Sequence, residues 1–139
     1  MDLSLVLARL KTQLTGLKSV GISADLDAAM EGVVALPAAF VLPLADRSVT
    51  TELTHGLSEQ ITQAFGVVHG LSNKRDALGA AALNDLKTLR LNLRSALVGW
   101  VPDADTGEPV HYSAGRLLRL DDGRLWWIDE FQLITYWST

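Results

Sequence analysis

Histidine and carboxylate side chains are where metal binding or proton transfer would begin in this chain. The histidines, His55, His69 and His111, stand far apart in the sequence. They lack the i, i+4 or carboxylate-adjacent spacing by which zinc hydrolases converge their ligands, so a loop histidine and two strand-surface histidines are the plainer expectation. Asp103, Asp105 and Glu108 surround Gly107 and invite comparison with a calcium loop. The EF-hand pattern wants another carboxylate or Asn before its Gly and a Glu several residues later, and this spacing predicts a solvated turn instead. Asp129 and Glu130 are adjacent, and strand neighbours point to opposite faces, which excludes a cooperating acid–base pair. One is expected to face solvent and the other to pair with an arginine or lie at a subunit contact, because an unpaired buried charge is costly. The Trp126-Trp127 pair offers aromatic faces for ligand stacking, but core packing on one side and an assembly interface on the other is the stronger expectation. Arg47, Lys74, Arg75, Arg116 and Arg119 form either a basic rim or ordinary solvated charge. No nucleophile elbow, phosphate-binding loop or dinucleotide fingerprint occurs, and no cofactor is expected.

The elements that carry these residues fit in one domain. A chain of 139 residues can hide roughly 70% of its unfolded surface in a single core. Hydrophobic residues make up 48% and charged ones 20%, the balance of a folded globular protein. The net charge of −4 argues against nucleic-acid binding by bulk positive charge, which relies on Lys and Arg displacing counterions. With no cysteine there is no disulfide framework or thiolate site, which fits an intracellular compartment. The N-terminus lacks a signal-peptide pattern and no stretch reaches the roughly 20 apolar residues of a membrane span, so a soluble protein without a cleaved signal is expected.

The strongest pattern runs from Val110 to Trp137, two apolar runs joined by the turn-forming Asp121-Asp122-Gly123, and predicts a β-hairpin. Its returning strand is apolar on both faces, with Leu125, Trp127, Phe131, Leu133 and Trp137 on one and Trp126, Ile128, Ile134 and Tyr136 on the other. Such a strand needs a cover on each side: a helix or sheet on both, or a helix on one and another protein on the other. Leu3, Val6, Leu7, Leu10, Leu14 and Leu17 form a helical stripe ending near Gly16. Ser19 to Ser23 suggests a short strand, Ala24 to Met30 a short helical turn, and Pro37 to Pro43 a buried strand with prolines at its ends. Ala45 to Ser58, rich in Ser, Thr and charge, predicts a mobile loop or an irregular hairpin. Glu59 to Leu71 alternates as a strand, and its small residues Ala64, Gly66 and Gly70 would let a helix backbone come close. Ala77 to Gly99 reads as a long helix whose buried stripe is Ala82, Leu86, Leu89, Leu93, Leu97 and Trp100, leaving Leu91 and Val98 well off it. The sum predicts an α+β fold: a mainly antiparallel sheet of four to five strands with two long helices packed on one face, the other face awaiting a partner.

Four segments stand out in order: Leu36-Pro37-Ala38-Ala39-Phe40-Val41-Leu42-Pro43-Leu44-Ala45, Phe65-Gly66-Val67-Val68, Arg75-Asp76-Ala77 opening an Ala-rich helix, and Asp122-Gly123-Arg124-Leu125-Trp126-Trp127-Ile128-Asp129-Glu130-Phe131. Together they resemble the tail terminator proteins of long-tailed bacteriophages and prophages. The similarity spans nearly the whole chain. It implies a virion protein with helices packed on a sheet, forming a homohexameric ring on the head-proximal end of the tail tube. Such a ring stops tube growth and presents its other surface to a head–tail connector or neck protein, with a lumen open to the passage of DNA.

The family offers no catalytic residues to carry over. Docking to the tube or connector is expected through loops, which usually carry recognition: Arg47, Glu52 and His55, then Lys74 and Arg75, then Asp103 and Asp105. Leu91, Val98, Trp126 and Tyr136 are the expected subunit anchors. Another neck component is an alternative, and a ligand-binding domain or enzyme built on Trp126, Trp127 and His111 is a more distant one.

Overall fold

The computed structural model describes residues 2–32, 35–54, 56–72, 80–104, 107–121 and 123–138. Its elements in order are α1 (Leu3–Gln13), β1 (Ser19–Ile22), α2 (Ser23–Met30), β2 (Ala38–Leu53), β3 (Gly56–Ser72), α3 (Ala80–Leu97), β4 (His111–Asp121) and β5 (Arg124–Ser138). The strands form one five-stranded sheet in the order β1-β2-β3-β5-β4. β1 runs parallel to β2 and every other pairing is antiparallel.

This corrects the expected architecture of two long helices on one face of an antiparallel sheet. The sheet is mixed, half of the described residues are in strands, and two of the three helices among them are short. α1 has 11 residues and α2 has 8, against 18 in α3. The helices also divide between the two faces. On one, Val6 and Leu10 of α1 join Leu93 and Leu97 of α3 over Val41, Phe65, Val67, Phe131 and Leu133. On the other, Ala29 of α2, with Leu26 and Met30 beside it, closes over Phe40, Val68, Trp126 and Ile128. A strand apolar on both sides must be covered twice, and the eight residues of α2 supply the second cover. Each large side chain so enclosed contributes roughly 1.5–3 kcal/mol.

The small residues of β3 serve a different purpose from the close helix approach expected of them. A Cβ at Gly70 would lie 2.5 Å from Cζ3 of Trp126, and one at Gly66 would lie 2.7 Å from Cδ1 of Ile128. The glycines therefore make room for side chains of β5: Gly70 lies directly opposite Trp126, and Gly66 lies opposite Glu130, two residues along the strand from Ile128.

The segment expected as a mobile loop or an irregular hairpin is the second of these, the far end of two long paired strands. β2 and β3 stay paired from Ala45 opposite Ala64 to Leu53 opposite Gly56, after an irregularity between Pro43 and Ala45. Val49, Thr50 and Thr51 are β-branched, so the composition that suggested a turn also suits a pleated strand. Pro43 is tolerated within β2 because β1 pairs only as far as Val41, leaving no neighbour there to need its missing N–H. Together with β5 beyond Leu133, these strands make a three-stranded arm that extends past the core. His55, Lys74, Arg75, Asp105 and the Asp122 turn residue lie outside the described residues.

Replacing Gly70 by Ala should therefore cost about 1–3 kcal/mol of stability, the usual range for overpacking. The control is Gly16→Ala, where a Cβ would meet nothing within 4 Å. Urea denaturation midpoints would check this, with the first variant lowered and the control close to wild type.

Candidate functional site

The most concentrated polar chemistry among the described residues lies at Asp129, on the face covered by α1 and α3. Strand alternation puts Trp127, Asp129 and Phe131 on that face together, and their neighbours in register bring His69 from β3 and Gly115 from β4. The Asp129 side chain is fully buried. His69 Nε2 lies 3.1 Å from its Oδ2, and since a carboxylate can only accept, this nitrogen carries the hydrogen. Arg90 of α3 donates from Nε to both carboxylate oxygens, at 3.1 and 3.2 Å. The Tyr112 hydroxyl donates to Oδ1 at 3.0 Å, and Trp127 Nε1 donates to the same oxygen at 3.1 Å.

Aromatic contacts extend this network. Arg90 lies 4.5 Å over the Trp127 ring, and Arg94 lies 4.5 Å over Tyr112. Tyr112 meets Phe131 edge-on at 5.5 Å, and Phe131 stacks on Phe65 at 5.6 Å. Gly115 leaves the space the polar groups occupy, since a Cβ there would lie 2.5 Å from the Tyr112 hydroxyl and 2.7 Å from Asp129 Oδ1.

Burial alone would push the Asp129 carboxyl up. The hydrogen bonds from His69, Arg90 and Trp127 outweigh that and hold it well below the usual carboxylate range. For Arg90, partial burial works against the charge, but its bond to Asp129 prevails and its pKa is raised. The arrangement is suited to locking side chains, not to turning over a substrate: the carboxylate is enclosed, with donors converging on both oxygens. It also meets the expectation for the adjacent acids in part: Asp129 pairs with an arginine, whereas Glu130, on the opposite face, is half-buried and not turned fully to solvent.

The residues expected to dock or assemble are distributed otherwise. Arg47 and Glu52 are exposed on the arm, on opposite faces by strand alternation. Asp103 is exposed in the link between α3 and β4, where its carbonyl accepts from the Gly107 amide at 3.1 Å. Tyr136 is exposed on β5, in a row with Gln60 and Val49 across the arm. Leu91 is exposed on α3, and Val98 is exposed in the turn just after it. Trp126 is the correction: its side chain is wholly buried under α2, so it can neither anchor a neighbouring subunit nor present a ring to a ligand. His69 and His111 do not converge, since His69 faces Trp127 in the register whereas His111 faces Gln132.

Three more large apolar groups of the arm are exposed besides the expected contacts. Val49 is 61% exposed, Leu53 51% and Trp137 54%. For Val49 and Leu53 the signal is alternation through Val49, Thr51 and Leu53, obscured by the polar Thr50 and Glu52 between them.

Because the folded carboxyl of Asp129 is depressed, its contribution is fully present above the unfolded pKa of about 3.9 and is lost as pH falls toward the folded value. Acid unfolding should thus steepen below about pH 4, and Asp129→Asn should flatten that dependence. Asp129→Ala should cost about 3–5 kcal/mol at neutral pH by stranding Arg90. Urea melts from pH 7 to pH 2 would check both.

Comparison with curated proteins returns no match. A family model described as phage tail terminator protein matches residues 1–136. That family is a structural one of the phage tail, associated with other tail and head components in the virion. The chain, matched over nearly its entire length, belongs to the phage tail terminator family.

Proposed function

We propose that this protein forms a ring on the head-proximal end of the completed tail tube, halts further addition of tube subunits, and offers its opposite surface to a head–tail connector. The observation that carries the reading beyond family membership is the three-stranded arm. Its Val49, Leu53, Tyr136 and Trp137 side chains remain more than half exposed, outside the reach of any described helix. Exposed apolar groups clustered on a projecting sheet are characteristic of a surface that becomes buried in an assembly.

In physical terms, termination is capping by complementarity. One side of the ring reproduces enough of a tube ring's surface to bind the last one, and the other side omits the contacts that would recruit another tube subunit. Docking draws on Arg47 and Glu52 of the arm and on Asp103, together with His55, Lys74, Arg75 and Asp105. Subunit contacts draw on Leu91, Val98 and Tyr136. Assembly would take place in the host cytoplasm, with the ring lumen left open for DNA.

Light scattering over a concentration series, followed by electron microscopy with matching tail tubes, tests the reading. Rings in solution, or rings appearing only on tube ends, are expected; a chain that stays monomeric and ignores tubes overturns it. In phage lacking the protein, tails of abnormal length are expected, whereas full-length tails that fail to join heads would assign it to the neck instead. Arg47→Glu should reduce capped tube ends at least several-fold without altering the urea midpoint, since Arg47 is exposed and exposed charges contribute little to stability.

A further inference from the structure

Two exposed surfaces on the same side of the sheet carry opposite charge. The first is a groove of about 410 Å³ along the outside of α3, lined by Leu83, Lys87, Arg90, Leu91, Arg94 and Trp127. Helical spacing places Leu83, Lys87, Arg90, Leu91 and Arg94 on one stripe beside the buried one. Arg90 is already answered by Asp129, so Lys87 and Arg94 supply the positive charge left over. Leu83 and Leu91, both more than half exposed, supply apolar area.

The second surface is the face of the arm that continues the α1 and α3 side. The register places Asp46, Glu52 and Glu59 there, with Leu57 and Trp137 between them. Asp46 lines a shallow pocket with Leu3 of α1 and Phe65, as that face assignment requires. No described residue forms an ion pair with Asp46, Glu52, Glu59 or Lys87. The stripe from Leu83 to Arg94 is about 16 Å long at the helical rise. The acidic row from Asp46 to Glu52 is about 20 Å long at the strand rise.

We infer that the acidic, apolar face of one copy's arm docks into the basic groove of α3 on the next copy. The inference rests on the ring reading, names the two surfaces that close it, and moves Glu52 from tube docking to the contact between copies, leaving Arg47 on the arm's other face for the tube. Because the surfaces differ, the contact is head-to-tail, and each subunit is left with one free arm and one free groove until the chain of contacts closes. Charge sets the orientation and speeds encounter, and Trp137, Leu57, Leu83 and Leu91 supply the apolar area.

Charge reversal tests the pairing. One variant carries Glu52→Lys and Glu59→Lys, the other Lys87→Glu and Leu91→Glu; all lie outside the core, and circular dichroism with urea midpoints verifies folding. If either variant fails to fold, Glu52→Lys and Lys87→Glu alone take their place. Assembly is read wherever the wild type forms rings, in solution or on tube ends. Each variant alone should fall to the mass of one chain, 15.1 kDa, or leave tube ends bare, and an equal mixture of the two should regain rings, since both contacts are then complementary. Variants that keep the wild-type ring, or a mixture that stays monomeric, overturn the pairing while the ring reading stands. A wild type that is monomeric both free and with tubes overturns both.

Discussion

A carboxylate sealed among aromatic rings has to be answered or it cannot be there, and that requirement at Asp129 organises the covered half of the molecule. Its partners come from separate parts of the chain: His69 from β3, Tyr112 from β4, Trp127 from its own strand and Arg90 from α3. Buried ion pairs are poor evidence for net stability, because desolvation consumes most of the Coulomb gain. What they supply here is discrimination. Sliding β5 by one residue would turn Asp129 onto the α2 face and leave Arg90 and His69 without their partner. The register of three strands and the seating of α3 are therefore coupled through one side chain.

The apolar packing follows from the same register. With Asp129 facing α3, Trp126 and Ile128 must face α2, and Gly70 and Gly66 clear the space into which they fit. The core is thus two thin layers on either side of a sheet, closed by one 18-residue helix with α1 on one side and by α2 on the other. Neither layer reaches the end of β2, β3 and β5. The covered region holds its shape through internal constraints, and the arm beyond it carries exposed groups of both kinds, Arg47, Val49, Glu52 and Tyr136 among them.

Much of this was legible in the residues and some was not. The two-faced apolar pattern of β5 was plain from alternation, and the stripe of Leu86, Leu93 and Leu97 marked the helix that lies on it. The division of helices between the faces was not legible, because a segment as short as α2 carries little periodic signal. The parallel placement of β1 beside β2 was equally hidden, since it depends on where the chain returns in space and not on local preference. At the site, Asp129 was recognisable as an acid requiring a partner, but its partner Arg90 lies 39 residues away and only the fold could identify it. Alternation gave the direction of Trp126 correctly; it was expected at a subunit contact because nothing in the sequence announced that α2 covers its face.

The four residues of β1 have one more consequence. Since β1 pairs only with Ala38 to Val41, the outer margin of β2 beyond it presents unmatched N–H and C=O groups along a long strand. A bare margin of that kind is an invitation to indiscriminate strand addition, and proteins commonly blunt it with irregularities and charge. The irregularity between Pro43 and Ala45, followed by Asp46 and Arg47, has that form. The arm thus carries, beside its exposed apolar groups, its own safeguard against sticking to the wrong strand.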